Sequence, residues 1–248
     1  MDIFSISWAL TLCAVFFAAF IRGVTGFGLA LILAPILLLI LTPANVVVVN
    51  LFLGLISNIL VLFYSFKKVD LKKILPMLIG SSLGIPLGAW IIILIAPATL
   101  KILIGGVTVS CAVLLALDFS RTLHREKLGS SVAGFLSGVL SSSTSLGGPP
   151  VILFMHNQNW QKDVIHSSLA VYFLFACFWS LIALYMSGLV DTQIIVEAAS
   201  LTPALLSGVG LGIMFFRRIN ARYFRHLSIV IVLCAGILGI LSGLGILS

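Results

Sequence analysis

The chain has 248 residues, of which 61% are hydrophobic and only 8% are charged. A soluble domain carries about 25% charged residues, so this composition excludes an ordinary soluble fold and predicts an all-α protein that crosses a membrane several times. We attribute the net charge of +7 to basic loops that face the cytoplasm, and we expect no nucleic-acid partner.

Apolar segments follow one another along the chain, separated by short polar turns. The predicted membrane segments are residues 3–41, 44–66, 71–95, 98–118, 129–158, 163–187, 191–215 and 226–246. Asp70 is predicted to cap the helix that begins after it. We expect one membrane domain, with residues 1–118 as its first half, residues 119–128 as a cytoplasmic linker and residues 129–248 as its second half.

Two of these segments contain a stretch that an unbroken helix does not accommodate. In GVLSSSTSLGGPPVILF (138–154), four hydroxyl residues precede two glycines and two prolines, and proline favours the first turn of a new helix. GVTGFGLALILAP (23–35) has a similar glycine-rich interruption. We predict irregular backbone from Ser142 onward, a new helix at Pro149, and a corresponding new helix near Gly26 to Gly28. Such pairs of broken helices are typical of the substrate site of a secondary transporter.

The two halves of the chain show a weak internal repeat. Small residues recur every four positions in residues 71–95, which predicts a close-packing helix face. At an offset of 124 residues (204 − 80), Gly80, Gly84 and Gly88 align with Ala204, Gly208 and Gly212.

Basic residues predict the orientation of these halves. Three basic clusters, at 67–73, 121–127 and 217–225, are placed in the cytoplasm, where loops are enriched in Lys and Arg. Each broken segment must then return to the side from which it entered, as a re-entrant hairpin or as two full spans. The predicted fold is therefore two inverted-topology repeats, each with a broken or re-entrant helix pair and three transmembrane helices, and both termini lie outside.

The broken segments supply the candidate substrate-binding residues. A helix N-terminus carries unsatisfied amides and a partial positive charge, so both second helices favour an anion. A buried guanidinium suits an oxyanion, although with two full spans Arg22 would be a cytoplasmic charge. Tight packing is the alternative role of the small residues. The candidates are Arg22, Thr25, Gly26, Gly28, Ser142, Ser143, Thr144, Ser145, Gly147 and Gly148.

Three further polar residues are candidates for ion coupling or for support of the site. Asn50 shares a helix face with Asn58, and a hydrogen bond between helices is the alternative role. Glu197 lies about 9 Å into its segment by helical rise, where an acid can couple transport to protons or accept a structural hydrogen bond. His156 precedes a cytoplasmic loop, where a solvated histidine is the alternative.

The motifs FIRGVTGFGLALILAP (20–35) and SSSTSLGGPPVILF (141–154) resemble those of the TauE/SafE sulfite exporter family. The resemblance covers nearly the whole chain and implies a secondary carrier of sulfite or small organosulfur anions such as sulfonates. We expect a multi-pass protein of the bacterial inner membrane that exports its anion by alternating access. An anion channel and proton-coupled uptake of a related oxyanion are the alternatives.

The chain shows no pattern that predicts catalysis. Ser–His–Asp, zinc-ligand and paired-acid spacings do not occur at one depth, so we expect no enzyme, no cofactor and no metal. The four cysteines stand singly in apolar runs, which is typical of small buried hydrophobic residues. The expected partners are a small anion and the lipid bilayer, and a homodimer stays open as the oligomeric state.

Overall fold

The computed structural model confirms the all-helical fold, with ten helices and no strand in the part of the chain that it describes. That part comprises residues 6–25, 28–65, 69–116, 126–158, 160, 162–215, 233, 236, 237, 240, 241 and 243–245. The helices are α1 (Ile6–Thr25), α2 (Leu29–Leu37), α3 (Pro43–Ser65), α4 (Leu71–Leu94), α5 (Pro97–Ala116), α6 (Glu126–Thr144), α7 (Gly148–Asn157), α8 (Lys162–Met186), α9 (Thr192–Ser200) and α10 (Thr202–Phe215).

Three helices, α3, α4 and α8, are long and apolar enough to cross a membrane. The pair α9 and α10 meets the same test only when the two helices are taken together, and it is bent by 43° at its break, as in a broken span or a re-entrant loop. The sequence predicted one full span over 191–215, and the bend between α9 and α10 follows from Pro203. A proline inside a helix cannot donate to the carbonyl four residues earlier, and its ring crowds that carbonyl.

Both predicted helix breaks are present, and they fall at corresponding positions. α1 ends at Thr25 and α6 ends at Thr144, an offset of 119 residues (144 − 25). α2 begins at Leu29 and α7 at Gly148, which is the same offset (148 − 29). α2 has nine residues and α7 has ten. At about 1.5 Å per residue each is roughly 14–15 Å long, about half of a 30 Å hydrocarbon core.

Glycines on α4 allow its backbone to lie directly against α6. A methyl group on Gly84 would overlap the carbonyl oxygen of Phe135, and one on Gly88 would overlap that of Val139. The contact is reciprocal, because a methyl group on Gly138 would lie 2.6 Å from the carbonyl oxygen of Ser81. The predicted close-packing face of α4 is therefore used against α6.

The contact between α10 and α1 has the same construction. A methyl group on Gly208 would overlap the carbonyl oxygen of Phe16, and one on Gly212 would overlap that of Phe20. Phe16 and Phe20 precede Phe135 and Val139 by 119 residues (135 − 16), the offset that also relates the two breaks. The first helix of each half thus packs on the glycine face of the other half.

α3 packs against α8. One apolar core lies beside α3 and draws buried residues from α1, α2 and α10, whereas a second lies beside α8 and draws them from α4 and α7. Large apolar side chains also lie on the outside, among them Phe63 at 83% exposure and Met186 at 81%. Such surfaces are expected where a protein contacts lipid.

We predict that Gly84→Ala destabilises the protein, because the added methyl group meets backbone that cannot move away without separating α4 from α6. Overpacking of this kind is destabilising by about 1–3 kcal/mol. Gly106→Ala on α5 is the matched control, since a methyl group there meets no atom of the described residues within 4 Å. Thermal unfolding of the purified protein in detergent measures the difference. Equal midpoints for the two variants would contradict the close-packing role of Gly84.

Candidate functional site

A cavity of about 60 Å³ lies where the two helix breaks face α3 and α8. It is lined by the end of α1, the start of α2, α3, the end of α6, the start of α7 and α8. A water molecule needs roughly 10–15 Å³ on the same measure, so the cavity has room for about four to six atoms of that size. The side chains that bring nitrogen or oxygen to it are Arg22, Asn50, Asn58, Ser141 and Ser145.

Two helix N-termini meet at this cavity, where Gly28 precedes α2 and Gly148 begins α7. Gly28 has a φ of 99°, a left-handed conformation that glycine adopts without strain. The first amides of a helix have no acceptor within that helix, so they are available to a ligand. α2 offers more of them, because Pro149 and Pro150 in the first turn of α7 have no amide hydrogen.

The hydroxyl-rich stretch before the second break is helical up to Thr144, whereas the sequence predicted irregular backbone from Ser142 onward. The hydroxyls of Ser143 and Thr144 donate to carbonyls one turn earlier, at 2.6 and 2.7 Å, a bond that a helix tolerates. The hydroxyl of Ser142 donates to the Ile85 carbonyl of α4 at 2.7 Å. These three hydroxyls therefore stabilise α6 and its packing against α4. Their neighbours Ser141 and Ser145 line the cavity.

The break itself is short and is held by hydrogen bonds to α6. Ser145 has a φ of 61°, which is uncommon for a residue other than glycine. The Leu146 amide donates to the Leu140 carbonyl at 3.3 Å, and the Ser137 hydroxyl donates to the Gly147 carbonyl. The end of α6 thus fixes the direction in which α7 leaves it.

Arg22 is buried in the last turn of α1 and contributes the positive charge of the cavity. Its Nη2 donates to Oδ1 of Asn58, whereas its Nε has no hydrogen-bond partner among the residues that the structure describes. Asn58 is oriented by a second bond, from its Nδ2 to the Gly54 carbonyl at 2.8 Å. Because Asn58 is neutral and no carboxylate among the described residues lines the cavity, the charge of Arg22 is left uncompensated there.

The family model described as sulfite exporter TauE/SafE matches residues 11–239, which include every residue that lines this cavity. The chain belongs to the TauE/SafE sulfite exporter family. The family resemblance predicted from the sequence is therefore confirmed, and this TauE/SafE protein is a multi-pass membrane protein of a transporter family. A search of curated proteins and a search of solved structures each found no match.

The TauE/SafE fold brings together part of the predicted site. Among the sequence-predicted residues, those that line the cavity are Arg22, Gly28, Asn50, Ser145, Gly147 and Gly148. Ser142, Ser143 and Thr144 are buried nearby but do not line it. Gly26 and the side chains of Thr25 and His156 lie outside the described residues.

Glu197 lies elsewhere, at a second cavity of about 210 Å³ between α1, α3 and α9. Trp8, Thr11 and Gln193 line that cavity with it, and the two cavities share no lining residue. The position of Glu197 therefore gives no support to direct contact with a ligand in the first cavity.

Eleven lining residues were not among the predicted site residues, among them Gly54, Asn58, Ser141, Phe173 and Cys177. Gly54 was detectable, because Asn50, Gly54 and Asn58 repeat every four residues on one face of α3. Phe173 and Cys177 on α8 were not detectable from the sequence, since Cys177 reaches the cavity only through the packing of α8 against α3. Its sulfur lies 3.9 Å from Nδ2 of Asn58.

We predict that Gly28→Ala destabilises the protein by about 1–2 kcal/mol, the energy of placing a residue with a Cβ in a left-handed conformation. Gly210→Ala is the matched control. At either position a methyl group meets no atom within 4 Å in the described part of the chain, so the two variants differ in backbone conformation. Urea or thermal unfolding measures the difference. An unchanged stability of Gly28→Ala would contradict the left-handed conformation of Gly28 at the start of α2.

Proposed function

We propose that this protein is a secondary carrier that moves sulfite or a small organosulfur anion across the bacterial inner membrane, with export by alternating access. The observation that carries the proposal is the buried guanidinium of Arg22 in the same small cavity as two helix N-termini. Each of these groups attracts an anion, and no acid in the described part of the chain lines the cavity to neutralise their charge.

The two halves of the proposed carrier are inverted repeats. Their local structure corresponds: Asp70 caps α4 by accepting from the Lys73 amide at 3.3 Å, and Asp191 caps α9 by accepting from the Gln193 amide at 3.3 Å. The basic cluster that includes Lys72 places the start of α4 in the cytoplasm. The connection between α8 and α9 lies one span away from the cytoplasmic side, so the start of α9 faces outside. Both termini then also face outside.

In this orientation the broken helices enter from opposite sides and meet near the middle of the bilayer. The lengths of α2 and α7 support this arrangement, because neither is long enough to cross the hydrocarbon core. The alternative of two full spans in the first half needs α2 to cross and Arg22 to reach the cytoplasm. The burial of Arg22 beside Asn58 favours the re-entrant arrangement instead.

Export of an anion needs no ATP in this scheme. An anion that leaves a cell with a negative interior gains about 2.3 kcal/mol per charge for each 100 mV of membrane potential. The site therefore has only to bind the anion weakly enough to release it outside. Uptake would require a coupling ion, and no acid among the described residues lines the cavity to carry one.

We predict that Arg22→Ala lowers the affinity of the purified protein for sulfite at least about tenfold, since a hydrogen bond to a charged group contributes about 1.5–3 kcal/mol. Arg22→Lys should be intermediate, because an ammonium group keeps the charge and loses the planar fork. Lys72→Ala, which removes an exposed positive charge at the start of α4, is the control. Binding is measured by titration calorimetry, and transport by counterflow of radiolabelled sulfite in liposomes.

Counterflow that saturates with sulfite in the wild type, and that disappears in Arg22→Ala, is the result expected of a carrier. Flux without counterflow would identify an anion channel that uses the same cavity. Wild-type sulfite affinity in Arg22→Ala would contradict the proposed site.

A second prediction tests the inverted orientation with two positions that occupy the same place in the two halves. Lys72 and Gln193 are each the second residue of a helix that follows an aspartate cap. In a cysteine-free background, Lys72→Cys should react with an impermeant thiol reagent only from the cytoplasmic side, and Gln193→Cys only from the outside. Labelling of both from the same side would contradict inversion of the repeats.

A further inference from the structure

Two asparagines on one face of α3 reach the cavity, and they differ in how their amides are satisfied. Asn58 uses both ends of its amide, since Oδ1 accepts from Arg22 and Nδ2 donates to the Gly54 carbonyl. Asn50 is only 2% exposed, yet neither its Oδ1 nor its Nδ2 has a hydrogen-bond partner among the described residues. Buried polar groups are almost always paired, so Asn50 marks a position that a bound ligand would complete.

The charge of the cavity limits the charge of that ligand. Arg22 is the one charged side chain among the described residues that line the cavity, and its Nε is unpaired. One positive charge balances a monoanion. A dianion would keep an uncompensated charge in a buried site, where desolvation of that charge is strongly unfavourable.

The amide of Asn50 limits the chemistry of the ligand further. Its Nδ2 can donate to an anionic oxygen, whereas its Oδ1 can only accept. An anion whose surface consists of acceptors alone would leave Oδ1 unpaired or would face it with a second lone pair. An anion with its own O–H or N–H group satisfies both ends of the amide at once.

We propose that the cavity selects a singly charged oxyanion of four or five heavy atoms that carries a hydrogen-bond donor, and that Asn50 recognises this donor. The inference rests on the proposed function, because it assigns the substrate class of the same cavity. Arg22 and the N-terminus of α2 hold the anionic oxygens, while Asn50 distinguishes protonated from fully deprotonated anions of equal size. The volume of about 60 Å³ fits an anion of this size.

Among sulfur oxyanions, this chemistry favours hydrogen sulfite over the sulfite dianion and disfavours sulfate. Sulfite exists in both protonation states near neutral pH, so the transported species would be the monoanion. Sulfate has a similar size and shape but two charges and no donor. The discrimination therefore depends on the proton that the substrate carries, and the protein needs no second cation.

Three stable anions of nearly equal size test the proposal by titration calorimetry on the purified full-length protein. Sulfamate is a monoanion with N–H donors, methanesulfonate is a monoanion with a methyl group in their place, and sulfate is a dianion without a donor. We expect sulfamate to bind the wild-type protein at least about tenfold more tightly than methanesulfonate, and sulfate to bind most weakly.

Asn50→Leu should bring the sulfamate and methanesulfonate affinities within about twofold of each other, because leucine has a similar size and no polar atom. Ser57→Ala is the matched control, since Ser57 is buried on the same helix and does not line the cavity. It should keep the wild-type ratio. The ratio in the wild type tests the proposal even if a variant fails to fold.

Equal affinities for sulfamate and methanesulfonate in the wild type, or a preference that survives in Asn50→Leu, would overturn the role of Asn50 and leave the anion site intact. Sulfate binding as tight as sulfamate binding would overturn the preference for a single charge. A wild-type protein that binds none of the three anions and no sulfite would overturn the proposed function, and this inference with it.

Discussion

Backbone amides and carbonyls that a broken helix leaves open find no water in the interior of a membrane, so the protein itself must satisfy them. At the second break this requirement is met by α6. Ser137 donates to the carbonyl of Gly147, and the amide of Leu146 returns to Leu140. The amides at the starts of α2 and α7 are the groups for which an anion is the natural partner. The irregular backbone and the site are therefore one feature of the fold.

Close helix packing keeps these groups at one place. α4 and α10 present glycines to α6 and α1, and those two helices end at the breaks. Near the second break the hydroxyl of Ser142 donates to the carbonyl of Ile85. At the first break Gly23 packs on Gly212, and a Cβ added to Gly212 would lie 2.8 Å from the Cα of Gly23. Gly23 and Ser142 differ by the offset of 119 residues that relates the breaks (142 − 23). The two halves use different chemistry at equivalent positions to reach the same close contact.

Local rules explain what the sequence predicted correctly. Glycine and proline restrict the backbone wherever they occur, so both breaks were located, the second within one residue of the start of α7. The Asp70 cap and the glycine face of α4 follow from equally local patterns.

Other parts of the site depend on three-dimensional packing that no local pattern encodes. Hydroxyl residues can end a helix or bond within it, and the sequence alone does not decide between these outcomes at Ser142 to Thr144. Cys177 reaches the cavity because α8 packs on α3 beside Gly54, whose missing side chain leaves room for the Cys177 sulfur. The bend at Leu201 is the opposite case. It was predictable from a local feature, Pro203, but the sequence-based prediction did not include it.

At the position of Arg22, a charged residue of one half corresponds to a neutral residue of the other. Arg22 and Ser141 are related by the offset of 119 residues (141 − 22), and both line the cavity. A second arginine in place of Ser141 would put two positive charges beside the same small cavity, where they would repel each other when it is empty. With a serine there, the second half contributes a hydroxyl and a helix N-terminus without a full charge. In the proposed carrier, symmetric halves give access from both sides, and a single arginine attracts the anion while keeping its binding weak enough for release.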